Sequence, residues 1–298
     1  MITLKNDQLS VTIKKQGAEL ASVVDRATGY EFLWQADETY WGRHAPVLFP
    51  IVGRLKDNQY LYKGHLYEMN QHGFARDSLF EVVECTDNSA LFRLESTEDT
   101  KKVYPFDFTL YIQHQLLRDH VITKYKVVNV SKDEPMYYAI GGHPAFNVAH
   151  KETEDGQFEF DQVSLQIEPH SELIQYPLNE QGLIKEKEAF QVYLMEMPLT
   201  HETFKNDALV YKLNKWSTIE LKDKTNRVNI LIQTSNLYYL GIWSPYPAQA
   251  PFVCIEPWAG IADAEETSGK LEDKIGIHQL EPTEEASHEF SMWFQKEE

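Results

Sequence analysis

Apolar and polar side chains alternate along most of this chain. Leu9, Val11 and Ile13 alternate with Ser10, Thr12 and Lys14, and Tyr30, Phe32 and Trp34 fall on one face of a second strand after an Asp25-Arg26-Ala27-Thr28-Gly29 turn. Phe106, Phe108, Leu110 and Ile112 alternate with Asp107, Thr109 and Tyr111; the chain turns at Arg118-Asp119 and runs back as a long strand over 121–130. A period of two places every second side chain on one face, the signature of a half-buried strand. Turn chemistry agrees with the pattern. Leu61 to Tyr67 reads as a hairpin about Lys63-Gly64, and 80–84 and 91–94 read as a hairpin about Asp87-Asn88-Ser89. Further strands are expected over 163–167, 218–221, 228–232, 239–243, 252–255 and 289–294. Residues 200–209 hold at most one or two helical turns, and no ten-residue segment carries a helical stripe with caps. Repeated strand–turn–strand units predict antiparallel sheets, and so an all-β fold: a large antiparallel β-sandwich with very little helix. The acidic stretch 151–156 reads as a solvated insertion, and the expected domain is a single unit over 1–298.

Composition narrows the function. Of 298 residues, 42% are hydrophobic and 12% aromatic, ample for a core. Lys and Arg number 28 against 46 Asp and Glu, a net charge of −18 that repels nucleic acid and anionic lipid, though a local basic pocket for a small anion is compatible with it. No apolar run approaches the ~20 residues of a membrane-spanning helix, the first residues are polar, and the expected location is the cytoplasm. Cys85 and Cys254 make neither a disulfide framework nor a Cys-x-x-Cys metal pair, and both read as small buried hydrophobes. No glycine-rich phosphate loop is present, which removes the usual dinucleotide and nucleoside-triphosphate enzymes.

Three short segments carry titratable residues among Gly, Pro and aromatics. In Asn70-Gln71-His72-Gly73-Phe74-Ala75-Arg76-Asp77, Gly73 lets His72 present its ring with little steric cover, and Arg76 is near enough to share a cleft. The structural alternative is a turn with a surface His and an Arg76–Asp77 pair. In Ala139-Ile140-Gly141-Gly142-His143-Pro144-Ala145-Phe146-Asn147, Pro144 restricts His143 to extended backbone. The alternative is a Gly-Gly bulge beside an incidental His. In Val253-Cys254-Ile255-Glu256-Pro257-Trp258-Ala259-Gly260, a strand runs into Glu256, where Pro257 is expected to end the ladder. A carboxyl so placed is desolvated, which raises its pKa, and Trp258 suits the C–H face of a sugar. The alternative is a buried Glu paired with an Arg. Two His and one Glu also match the His₂Glu set of catalytic zinc, but the His-Glu-x-x-His helical spacing is missing, and no metal is expected.

His72-Gly73-Phe74-Ala75-Arg76, His143-Pro144-Ala145-Phe146 and Ile255-Glu256-Pro257-Trp258, in that order on an all-β chain, resemble the aldose 1-epimerase (galactose mutarotase-like) family, and more narrowly its LacX-like branch. The resemblance implies a β-sandwich with a sugar site in a cleft on one concave sheet. It implies His143 as general acid, Glu256 as general base and His72 as the residue that binds and polarises the sugar. Arg54 falls on an arginine that contacts sugar hydroxyls, with Gly53-Arg54-Leu55 where mutarotases carry Asn-Arg-Ile, and Asp207 falls on an aspartate that holds hydroxyls. The expected reaction is interconversion of the α and β anomers of a hexose, without a cofactor. Arg76 resembles an arginine of relatives that act on hexose 6-phosphates, so a sugar phosphate is the alternative substrate. A non-catalytic carbohydrate-binding module is the alternative outside enzymes.

Overall fold

The computed structural model describes residues 1–213 and 216–297. Two large antiparallel sheets dominate it. The first has nine strands, in the spatial order Glu196–Pro198, Val163–Glu168, Ser217–Asp223, Val228–Thr234, Glu285–Lys296, His120–Asn129, Phe108–Leu117, Ser89–Glu95 and Glu81–Cys85. The second has eight, running from Phe190–Tyr193 through Glu172–Tyr176, Leu209–Lys212, Tyr239–Trp243 and Phe252–Ala259 to Ile140–Gly142 and Val47–Leu48, with Ala145–Asn147 also paired to Phe252–Ala259. A three-stranded sheet, Ile2–Lys5, Leu9–Ile13 and Leu20–Asp25, precedes them. The last strand, Glu285–Lys296, lies between His120–Asn129 and Val228–Thr234, so distant parts of the chain interleave in one sheet.

The alternation in the sequence is the alternation of burial. Phe108, Leu110, Ile112 and Leu116 are buried on one strand, and Val121, Tyr125 and Val127 on its partner. Across the sandwich, Val253 and Ile255 face this core. The opposite face of the same strand carries Cys254, Glu256 and Trp258. Gly142 permits the close approach of the sheets: a Cβ there would lie 2.9 Å from the Phe290 ring and 3.0 Å from the Tyr125 hydroxyl.

The hairpins about Lys63-Gly64 and over 81–95 form as expected, and residues 200–209 hold one short 3₁₀ turn, His201–Phe204. Three expectations are corrected. Residues 30–34 form only isolated bridges, Val24 to Glu31 and Leu33 to Phe146, instead of a strand. The Glu31 carboxylate accepts from the N–H groups of Val23 and Leu33, which removes donors that a ladder would use. Pro257 does not end its strand, which continues to Ala259. The Ile255 N–H donates to Pro144, so by the period of two the missing N–H of Pro257 falls on the same side, at the bend between Ile140–Gly142 and Ala145–Asn147, where no ladder bond is lost. Cys254 is buried as expected, but Cys85 is exposed, on the edge strand Glu81–Cys85. No helix among the described residues is long and apolar enough to cross a membrane.

Candidate active site

Glu256 and Trp258 alternate onto the outer face of the eight-stranded sheet and form the floor of a cleft of about 300 Å³, within the range that takes a small ligand. Two glycines make room for the indole. A Cβ at Gly241 would lie 2.3 Å from the Trp258 ring and one at Gly141 2.5 Å from it, so the ring spans the strands on both sides of its own.

His143 enters from the bend after Ile140–Gly142. Its N–H donates to Pro46, the Ala145 N–H donates to His44, and Pro144 accepts from Ile255, so backbone on both sides fixes the turn. The imidazole stacks on Trp41, with centroids 4.9 Å apart, and its Nε2 lies 3.1 Å from Oε2 of Glu256. His72 meets His143 edge to face at 5.5 Å. Nδ1 of His72 accepts from the Gly53 N–H, which leaves its proton on Nε2 as a donor. His72 and Gly73 both take left-handed backbone, with φ of 68° and 69°, and a Cβ on Gly73 would lie 2.3 Å from the Phe49 carbonyl oxygen. Gly73 thus serves the backbone; His72 is 6% exposed, against the expectation of an uncovered ring, because it is packed beneath Gly53 and against His143.

Burial sets the electrostatics. It pushes the Glu256 carboxyl well above the usual range, and Asp207 adds to the rise. It pushes His143 down to about 3, helped by the positive field of Arg76 and Arg43. His72 is held well below its ordinary value, by burial first and then by His143 and the arginines. The state that burial favours is therefore a neutral imidazole beside a protonated carboxyl. The 3.1 Å contact lacks hydrogen-bond alignment, and Oε2 of Glu256, Nδ1 of His143 and Nε1 of Trp258 are buried without a hydrogen-bond partner. An unmet buried polar atom costs about 1–3 kcal/mol, and three on one cleft floor mark a place where a polar ligand would supply what is missing.

The cleft also gathers Arg54, Arg76 and Asp207. Arg54 and Asp207 are exposed on the rim, and both approach Gly182: a Cβ there would lie 3.3 Å from Cδ of Arg54 and 3.7 Å from Oδ2 of Asp207. Asp207 sits in left-handed backbone, with φ of 75°. Arg76 is mostly buried: its Nη2 donates to the Gln71 carbonyl, its Nε makes no hydrogen bond, and Asp77 lies 3.7 Å away. Asp77 pairs more closely with Arg43, at 2.9 Å. The Arg76–Asp77 pair and the cleft placement of Arg76 therefore coexist. The alternative of Glu256 held by an arginine is not realised; its ion-pair contact among the described residues is His143. All seven residues singled out in the sequence line one cleft. Trp41, Trp243 and Gln71 line it too, and none of them is among the residues the sequence points to. Trp243 was within reach, since it lies opposite Cys254 and two residues from Gly241, the partner of Glu256. Trp41 lies in an irregular segment with no periodic signal.

A family model for aldose 1-epimerase matches residues 1–291. The chain belongs to the aldose 1-epimerase family. Among similar proteins, the plasmid-encoded protein LacX of Lactococcus lactis subsp. lactis is 29% identical over 301 residues, 98% of each chain. A galactose mutarotase related enzyme from Lactobacillus acidophilus superposes with a TM-score of 0.93 at 37% identity, covering 99% of this chain and 97% of that one. A galactose mutarotase-like protein from Lactobacillus casei gives 0.91 at 31% identity over 99% and 100%. The galactose mutarotase-like fold thus stands on sequence and structure together.

Proposed function

We propose that this protein is an aldose 1-epimerase that interconverts the anomers of a hexose through the ring-opened sugar. A cyclic aldose opens when the anomeric hydroxyl loses its proton and the ring oxygen gains one. Rotation about C1–C2 and reclosure give the other anomer. The chemistry needs two proton carriers near two oxygens of one carbon, and no redox carrier. The observation that carries the reading is the contact of His143 Nε2 and Glu256 Oε2, at 3.1 Å on the cleft floor. In the form with the proton on the imidazole, Glu256 takes the anomeric proton and His143 delivers one to the ring oxygen; reclosure reverses the roles. His72 donates from Nε2 to a sugar oxygen. Arg54 and Asp207 hold hydroxyls at the rim, and Trp258 underlies the C–H face, which together supply orientation.

Glu256→Gln tests this. It removes the base with little change of shape, so anomer exchange followed by polarimetry should fall about 10²–10⁴-fold while sugar binding by calorimetry persists. Exchange at the wild-type rate would end the assignment. Saturable sugar binding by the wild type without any exchange would favour the carbohydrate-binding module.

The buried Nε of Arg76, which has no hydrogen-bond partner, favours a second reading in which the hexose carries a 6-phosphate. Arg76→Ala should then slow exchange of the phosphorylated sugar at least tenfold more than that of the free one. Equal effects on both would exclude the phosphate.

A further inference from the structure

Cys254 has no part in the proton transfers above, yet it shares the outer face of its strand with Glu256. One ring nitrogen of His143, Sγ of Cys254 and a carboxylate oxygen of Glu256 lie within 4.8 Å of one another, and all three residues are buried. A zinc ion binds S at about 2.3 Å, N at about 2.0–2.1 Å and O at about 2.0–2.2 Å, so its ligand atoms stand roughly 3.3–3.8 Å apart. From a spread of up to 4.8 Å, closing the triangle to that size shortens its longest edge by roughly 1.0–1.5 Å at most. Two further observations point to a ligand at this place. Oε2 of Glu256 is buried with no hydrogen-bond partner, and the cleft opens beside it. The charges also balance: a thiolate and a carboxylate neutralise a divalent ion in a site that would otherwise strand charge away from water. A sulfur, an imidazole and one carboxylate select a thiophilic ion over magnesium or calcium, which require mostly oxygen ligands.

We propose that His143, Cys254 and Glu256 form an inhibitory site for a thiophilic divalent cation, with the fourth position open to the cleft. Binding releases the thiol proton and the carboxyl proton to solvent. The ion then holds a ring nitrogen of the acid and an oxygen of the base, so the pair can no longer pass protons to and from a sugar. The inhibitory half rests on the epimerase reading; the binding half does not.

The experiment uses Zn²⁺ for inhibition and Co²⁺ as a spectroscopic probe, on the wild type and on Cys254→Ser and Cys85→Ser. Cys85 is the second, exposed thiol and serves as the control. Zn²⁺ should abolish anomer exchange in the wild type, and EDTA should restore it. Cys254→Ser should exchange anomers normally without metal and need at least tenfold more Zn²⁺ for the same inhibition. Co²⁺ should give a thiolate-to-metal charge-transfer band in the wild type and Cys85→Ser, and none in Cys254→Ser. Absence of that band from the wild type, its loss in Cys85→Ser, or equal Zn²⁺ inhibition of wild type and Cys254→Ser would overturn the proposal. Should the protein exchange no anomers, the Co²⁺ spectra still decide the binding half. If Cys254→Ser does not fold, Cys254→Ala replaces it with the same outcomes.

Discussion

His114, in the nine-stranded sheet, and His143, in the cleft, are both almost sealed from water, at 2% and 7% exposure. Burial lowers both imidazoles, His114 to about 4 and His143 to about 3. Their partners differ. His114 uses both nitrogens: Nε2 donates to the Ala18 carbonyl at 2.8 Å and Nδ1 accepts from the Thr123 hydroxyl at 3.0 Å. His143 leaves Nδ1 unbonded and points Nε2 at Oε2 of Glu256, an oxygen that has no hydrogen-bond partner either. A buried histidine with both nitrogens satisfied holds the fold together. One with open valences, next to another such group, is available to a ligand.

The contrast can be broken in a graded way. The largest effect is expected from His143→Asn, which should cut anomer exchange about 10²–10⁴-fold and leave the fold in place. Urea denaturation alongside polarimetry separates the two, and a variant that unfolds while exchanging anomers normally per folded molecule would invert the comparison. A smaller effect should follow His114→Leu, which leaves the Ala18 carbonyl and the Thr123 hydroxyl buried and unpaired, at a cost of about 1–3 kcal/mol in unfolding free energy. Its exchange rate should stay that of the wild type. Ala18 holds left-handed backbone, with φ of 46°, so the lost bond also frees a strained turn.

The smallest effect is in the pH profile. The competent pair carries one proton, and activity falls when a second is added or the last is lost. Burial disfavours the added positive charge, pushing His143 down, and disfavours the bare carboxylate, pushing Glu256 up. Lowering His143 carries the acid limb below the ordinary histidine range. The rate measured as kcat/KM should not fall on the acid side near the usual histidine value of about 6.5, and an acid limb with its half-maximal point there would show that burial does not govern this pair.

The strands and their facing were legible because a period of two survives any amount of tertiary detail. Glu256 and Trp258 could be placed on one face from spacing alone, and so could the buried rows of 108–117 and 120–129. The site's histidines were marked by their Gly and Pro neighbours, which His114 in its strand lacks, and their roles came from the resemblance. Sequence failed where a side chain took over a backbone role or a strand lay at an edge. Glu31 caps N–H groups that a strand would have shared. Cys85 looked buried, but its strand closes the nine-stranded sheet and has a neighbour on one side only. Pro257 looked like a terminator because the bend that accommodates it is supplied by residues 142–145, more than a hundred positions away. Trp41 stacks on His143 from a segment with no repeat to read.

One consequence follows from the touch between Nε2 and Oε2 before any sugar arrives. In the proposed reaction, reclosure hands each hydrogen back to the member of the couple that gave it. No courier from bulk solvent has to enter the cleft between turnovers, so the pace of the cycle is indifferent to how much buffer surrounds the molecule.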